Sequence, residues 1–136
     1  MRIPGLVGAV VMIAALTACA TPSPPALGLW ELADPSSVTS ESTTLELGVT
    51  RLECSNGVTG EVLDPHVIYE HDRILIRTDV APLGLDAANC QGNDVVPIVV
   101  ELAEPVGDRD LVDAACSDDR AASTVFCEDD GVRWSG

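Results

Sequence analysis

Five cysteines offer the most distinctive side-chain chemistry in this chain. Four of them, Cys54, Cys90, Cys116 and Cys127, lie in its second two thirds. In an exported chain, an even number of cysteines predicts two disulfides. No two cysteines have Cys-x-x-Cys spacing, which argues against a thioredoxin-like redox motif and against a zinc knuckle. The fifth, Cys19, follows an apolar run and is a candidate for a different modification.

The residues before Cys19 have the features of an export signal. Arg2 gives a positive start, and the uncharged run from Gly5 to Leu16 is shorter than the roughly 20 helical residues that span a bilayer. Leu16-Thr17-Ala18-Cys19 resembles the bacterial lipobox, in which the cysteine thiol is alkylated by a diacylglyceryl group before the signal is removed. The resemblance implies that residues 1–18 form a helical signal peptide and that Cys19 becomes the lipidated first residue of the mature chain.

A lipid on Cys19 would place the mature chain at the extracytoplasmic face of the cell membrane. Two acyl chains hold a protein stably at a membrane, whereas one chain holds it only marginally. The Pro-rich segment 20–26 favours an extended form and is expected to lift the folded part off the surface. The sequence therefore predicts a membrane-anchored lipoprotein with a Pro/Ser-rich tether over residues 19–40.

Acidic residues cluster around Arg109, in the sequence Gly107-Asp108-Arg109-Asp110 and at Asp113. Three carboxylates around one arginine suit either a divalent-cation or ligand site, or an Asp-rich turn in which Arg109 ties two loops together by charge-assisted hydrogen bonds. The structural interpretation is the more ordinary of the two.

A second acidic group lies near the C-terminus, at Glu128-Asp129-Asp130-Gly131. If Cys116 and Cys127 are bridged, Asp118-Asp119 comes close to it, and five carboxylates gather at one disulfide. Calcium prefers such oxygen ligands. The Asp-x-Asp-x-Asp-Gly loop with its closing Glu is absent, however, so a solvated acidic surface is the alternative.

Signals for catalysis are weak. His66 and His71 are separated by an odd offset, which sends two side chains of one strand to opposite faces. The chain has no Gly-x-Ser-x-Gly elbow and, without lysine, no Ser-x-x-Lys motif. A small hydrolase built on paired carboxylates stays open, but its four aromatic residues are few for a polysaccharide cleft. No cofactor or resident metal is expected.

The charge of the chain excludes nucleic acid as a partner. There are 22 acidic residues, seven arginines and no lysine, and the net charge is −15. Nucleic-acid binding needs clustered cations that displace counterions from phosphates. The same negative charge repels an anionic leaflet, so the polypeptide itself is not expected to hold the protein at a membrane.

Period-two patterns predict several short strands after the tether. The first strand starts at Thr44, the second lies within Glu61–Glu70 and is broken at Pro65, and the third and clearest spans Arg73–Val80. The apolar phase shifts after Val49, which predicts a β-bulge near Thr50-Arg51.

Further strands are predicted toward the C-terminus. Val95–Leu102 is strongly apolar, and its later half is expected to be central in the sheet. Val125–Cys127 and Val132–Trp134 are predicted to be short closing strands. Gly and Pro turns between short strands indicate a mainly β domain over residues 41–136, as an antiparallel β-sandwich or a partly open barrel.

Strand parity gives a hint about the disulfides. The first three predicted strands are those that start at Thr44, lie within Glu61–Glu70 and span Arg73–Val80. If they run up, down and up, then Cys54 and Cys90 lie at the same end of the sheet. This favours Cys54–Cys90, and leaves Cys116–Cys127 as a local clamp.

Several stretches of the domain resemble small, uncharacterised lipoproteins of actinobacteria. The similarity lies in Leu52-Glu53-Cys54 with Asn56-Gly57, in Cys90-Gln91-Gly92-Asn93, and in Glu104-Pro105-Val106-Gly107-Asp108-Arg109 leading to Cys116. It covers most of residues 45–134 and implies a shared domain, without an activity that it brings along.

These observations predict a non-catalytic binding or structural module of the cell envelope, with a protein or cell-wall partner. A calcium-binding module that uses the acidic C-terminal loops is the first alternative, and a small hydrolase is the second.

Overall fold

The computed structural model describes residues 18–136, and seven strands account for most of the regular structure in them. The strands are β1 (Ala26–Leu32), β2 (Thr44–Arg51), β3 (His66–Tyr69), β4 (Arg73–Val80), β5 (Val96–Glu101), β6 (Asp110–Asp113) and β7 (Val132–Trp134). One short helix, α1 (Asp119–Ala122), lies among three 3₁₀ segments, Pro35–Ser37, Ala114–Ser117 and Val125–Gly131.

The strands form one sheet in the order β5-β2-β1-β4-β6-β7, and β3 pairs with β4 off this path. The mainly β class is therefore confirmed. The sheet is single rather than a sandwich of two, and it is not closed into a barrel. The antiparallel prediction is wrong at one place, because β4 and β6 run parallel.

The parallel pair lies at a fork in the sheet. Residues 26–28 of β1 pair with the end of β4, and β6 pairs with its beginning at residues 73–76. Trp30 lies beyond the last residue of β1 that pairs with β4. Its backbone N–H donates to Asp113 Oδ2 at 3.0 Å, and its indole N–H donates to the carbonyl of Ile76 at 2.8 Å. These two bonds satisfy donors that the fork would otherwise leave buried and unpaired.

The main core lies on one face of the sheet. Alternate residues of β2 and β4 are buried, as the period-two pattern predicts. The cluster includes Trp30, Leu45, Leu47, Val49, Ile74, Ile76, Val80, Val100 and Leu111. Arg51 occupies the last buried position of β2. The predicted bulge is therefore wrong, since Thr50 and Arg51 pair with Leu29 and Gly28 in regular register.

A smaller second core covers part of the opposite face, here called the outer face. Leu27 and Leu29 of β1 pack there against Ala115, Ala121 and Cys127. The covering segment is the run of 3₁₀ turns and α1, so the strand predicted at Val125–Cys127 is wrong. Phe126 of this segment remains half exposed beside β2 and β5.

The folded domain begins earlier than its predicted start at residue 41. Residues 18–25 are exposed and have no regular structure, but β1 begins at Ala26 and pairs with both β2 and β4. The predicted tether 19–40 thus contains a central strand, and only its first part lies outside the fold. The predicted signal helix falls almost wholly outside the described residues. Within residues 18–136, no helix is long and apolar enough to cross a membrane.

Candidate functional site

Both disulfides connect the cysteines that strand parity favoured. Cys54 is bonded to Cys90, and Cys116 is bonded to Cys127. The first bridge joins the loop after β2 to the loop after β4, and the second clamps the segment that covers β1. Cys19 is the free cysteine of the described residues, and it is exposed.

The segment that carries Cys19 meets the domain at a polar hollow of about 450 Å³. Ser23, Pro24 and Pro25 form one wall, and the loop 82–88 forms another. The Cys54–Cys90 bridge and Arg51 are also at this end. The Cys54–Cys90 disulfide and the hydrogen bonds of Arg51 therefore stabilise the end of the domain from which the predicted tether emerges.

Arg51 organises the two loops that the Cys54–Cys90 bridge joins. Its guanidinium donates to the carbonyl of Thr59 at 3.1 Å and to the carbonyl of Ala81. Thr59 is fully buried, and its backbone N–H donates to Asp94 Oδ1 at 2.6 Å. The arginine is thus an internal support, although its position at the end of an apolar strand gave no such signal.

The structure separates the acidic cluster predicted around Arg109. Arg109 donates to Glu104 Oε1 at 2.5 Å and to the carbonyls of Pro105 and Val106, and it lies 5.7 Å from the centre of the Tyr69 ring. It therefore fixes its own loop. Asp108 is exposed, and Asp110 starts β6.

Asp113, the third predicted acid, is in the interior. It is fully buried at the end of β6 and accepts hydrogen bonds from the backbone N–H groups of Trp30 and Ala115, both at 3.0 Å. Arg133 of β7 donates to it at 3.1 Å. One carboxylate thus joins β1, the 3₁₀ turn after β6, and β7. Arg133 Nε is buried there without a hydrogen-bond partner.

The C-terminal acids do not assemble a metal centre. Asp118 caps α1 and binds the guanidinium of Arg120, while Glu128, Asp129 and Asp130 are exposed. Among residues 18–136, no group of three or more His, Cys, Asp or Glu side chains could hold a metal ion. The calcium alternative therefore has no ligand set in this part of the chain.

The two histidines are exposed and stand apart. His66 begins β3, and His71 lies in the turn after it. His71 shares an open hollow of about 610 Å³ with Glu70, Asp72, Glu104, Asp108 and Arg109. Neither imidazole hydrogen-bonds to a serine or cysteine within the described part of the chain, so no nucleophile and base are paired through them.

Two aspartates are expected to titrate on opposite sides of the ordinary value. Burial raises the pKa of Asp113 above 3.8, against the opposing effect of its hydrogen bonds from Trp30, Ala115 and Arg133. Hydrogen bonds from the side chain and backbone of Arg120 lower the pKa of Asp118 to about 2. Folding is therefore favoured by protonation of Asp113, an effect that is fully present below the unfolded pKa and is lost as pH rises through the folded pKa. The effect of Asp118 is present above 3.8 and is lost as pH falls through about 2.

Carboxyl carbon shifts followed by NMR from acid to neutral pH measure both titrations. We expect the Asp118 midpoint below 3.8 and the Asp113 midpoint above it. The reverse order of the two midpoints would contradict the placement of Asp113 in the interior.

The remaining candidate is an apolar surface that the sequence analysis missed. Three adjoining hollows of about 350–380 Å³ lie along the outer face of β2 and β5 and share lining residues. We call this surface the outer-face groove, and its apolar lining includes Leu29, Leu52, Val95, Pro97, Val99 and Phe126. The prediction that the later half of the apolar run Val95–Leu102 is central in the sheet is wrong, because β5 is an edge strand. Val99 of β5 is 59% exposed, and Val95, directly before the strand, is 63% exposed.

The rim of the outer-face groove is acidic. Each of the three hollows has one glutamate in its lining, Glu31, Glu53 or Glu46. Glu53 forms an ion pair with the buried Arg51 at 3.6 Å. Glu31 and Glu46 have no arginine partner among the described residues. The groove therefore combines exposed apolar side chains with uncompensated negative charge.

No protein-family model, curated protein or solved structure matches the chain. A hydrolase would need a concave pocket lined by a carboxyl of raised pKa. The carboxyl of raised pKa, Asp113, is fully buried and lines none of the larger hollows of residues 18–136.

Proposed function

We propose that the protein is a lipid-anchored, non-catalytic binding module on the extracytoplasmic face of the cell membrane. The observation that carries the proposal is the position of Cys19. It is exposed and unpaired in a segment without regular structure, while the other four cysteines are paired inside the fold. A lipid on this thiol would alter no contact of either core.

The spacing between Cys19 and the fold supports an anchor that leaves the domain free. Six residues separate Cys19 from the start of β1 at Ala26. At about 3 Å per residue in an extended, Pro-rich form they reach on the order of 20 Å. This exceeds a Debye length of about 8 Å, so the acidic domain would avoid most of the repulsion from an anionic surface.

Binding is supported by the outer-face groove. Contiguous exposed apolar patches with polar rims are typical of surfaces that contact a partner. The sheet supplies a rigid base for such a surface, since β2 pairs with neighbours on both of its edges and two disulfides clamp the loops around it.

Replacing Cys19 with serine tests the anchor. The hydroxyl is not a substrate for thioether formation, so we expect the domain to leave the membrane fraction or to remain as an uncut precursor. Detergent phase partitioning measures its location, and intact mass spectrometry of the extracted protein reports the diacylglyceryl and acyl additions. Alkylation before reduction in the same experiment reports whether Cys54, Cys90, Cys116 and Cys127 are oxidised.

Ser23→Ala is the matched control, because Ser23 lies in the same exposed segment and carries no thiol. Ser23→Ala is expected to partition like the protein without a substitution. Normal cleavage of Cys19→Ser with unchanged membrane retention would contradict the anchor.

A further inference from the structure

We infer that the outer-face groove binds an extended protein segment in which apolar side chains alternate with lysines or arginines. The inference rests on the proposal that the domain is a binding module, but it does not depend on the lipid anchor.

The apolar half of the inference comes from the shape of the groove. Its central hollow of about 360 Å³ is bounded by Leu29, Leu52, Val95 and Phe126. Gly48 forms part of its wall, and a Cβ at that position would lie 2.6 Å from Val95 Cγ1. The glycine thus allows Val95 to lie over β2. A side chain of valine or leucine size fits a hollow of this volume, and its burial would remove the exposed faces of Val95 and Phe126 from water.

The cationic half comes from the distribution of charge. Every arginine of residues 18–136 already forms an ion pair, namely Arg51–Glu53, Arg73–Glu70, Arg77–Asp79, Arg109–Glu104, Arg120–Asp118 and Arg133–Asp113. Since the chain has 22 acidic residues, most carboxylates have no arginine partner. Glu31 and Glu46 are two of these, and both line the groove. A partner with lysines or arginines complements this rim and is attracted to it before contact.

A second copy of the chain is a poor occupant by the same reasoning. Two identical acidic rims with a net charge of −15 on each chain repel each other. The free edge of β5 is also poorly suited to strand addition, because Pro97 has no N–H to donate to an added strand. The partner segment is therefore expected to bind through side chains across the outer face rather than as an eighth strand.

The test measures binding of a short fluorescent peptide in which lysine and valine alternate. The protein is used as cells produce it, in nanodiscs of zwitterionic lipid if it is membrane-bound and free in buffer if it is not. Loss of the anchor therefore leaves this measurement intact. We expect saturable binding that weakens with rising salt. Phe126→Ser and Val95→Ser are each expected to raise Kd about tenfold, as for a side chain at the centre of a contact.

Controls separate the groove from general charge attraction. Ile68→Ser removes a side chain that is 44% exposed on β3, away from the groove, and should leave Kd unchanged. Glu31→Gln with Glu46→Gln should weaken binding and reduce its salt dependence, whereas Asp64→Asn, another exposed acid, should not.

Three results would overturn the inference. One is equal binding of a peptide in which lysine alternates with serine, since charge alone would then explain it. Another is the absence of saturable binding by the lysine-valine peptide. The third is a dimer in sedimentation equilibrium that Phe126→Ser dissociates, because a second copy would then occupy the groove.

Discussion

Replacing Asp113 with alanine is expected to lower the free energy of unfolding by about 3–5 kcal/mol, the range seen when one partner of a buried ion pair is removed. The carboxylate is fully buried and accepts from the backbone of Trp30, the backbone of Ala115 and the guanidinium of Arg133. Its removal leaves two buried N–H groups and one largely buried cation without an acceptor. Urea unfolding followed by tryptophan fluorescence measures the loss, because Trp30 lies at the same fork.

Asp118→Ala is the matched control for this effect. Asp118 also accepts from one backbone N–H and from one arginine, Arg120, but both partners are at the surface. Its removal should lower the free energy of unfolding much less than Asp113→Ala does, because water replaces the lost acceptor of both partners.

A double variant separates the ion pair from the backbone hydrogen bonds. Asp113→Ala with Arg133→Ala should be less destabilised than the sum of the single variants, because no cation is then left buried. A loss below about 1 kcal/mol for Asp113→Ala alone would show that the fork does not depend on this carboxylate.

Half-buried strands were predictable from the sequence because their side chains alternate. β4 was predicted with the bounds that it has, and β2 with its correct start. The disulfide pairing followed from the same strands. β2 and β4 are both antiparallel to β1, so they run in the same direction and bring Cys54 and Cys90 to one end of the sheet.

β1 was missed because it is buried on both faces. Six of its seven residues are buried, so the sequence Ala26–Leu32 has no alternation for a period-two pattern to detect. Its position directly after the Pro-rich segment added to the error. β6 was missed for a different reason, since its two terminal aspartates gave it the composition of a turn.

Side-chain pairing at the candidate sites depended on strand order, which the sequence pattern did not provide. Asp113 is four residues from Arg109 but pairs with Arg133, because β7 pairs with β6. The exposed face of β5 was hidden in the same way. An apolar run is expected to be buried, and only the sheet order places β5 at an edge, with Val99 and the preceding Val95 in solvent.

Removing the Cys54–Cys90 bridge by Cys54→Ala with Cys90→Ala is expected to cost about 3–4 kcal/mol of unfolding free energy, because the bridge restricts a long loop in the unfolded chain. The two cysteines are 36 residues apart, whereas Cys116 and Cys127 are 11 apart. Chain entropy alone therefore makes the first bridge worth about 1 kcal/mol more than the second.

The double variant Cys116→Ala with Cys127→Ala removes the second bridge and is the matched comparison. It also removes packing in the second core, which offsets part of the smaller entropic effect of this bridge. Cys127 is buried against Leu27 and Leu29, whereas Cys54 and Cys90 are exposed. Loss of the second bridge should therefore also loosen the segment that holds Phe126 and weaken peptide binding in the outer-face groove. Loss of the first bridge should lower stability but raise Kd less than loss of the second, although Cys54 and Cys90 line one hollow of the groove, because Arg51, Asn93 and Asp94 still tie the same loops together and Phe126 stays clamped. Urea unfolding and peptide titration of both double variants measure these effects. A larger rise in Kd on loss of the Cys54–Cys90 bridge than on loss of the Cys116–Cys127 bridge would contradict this reasoning.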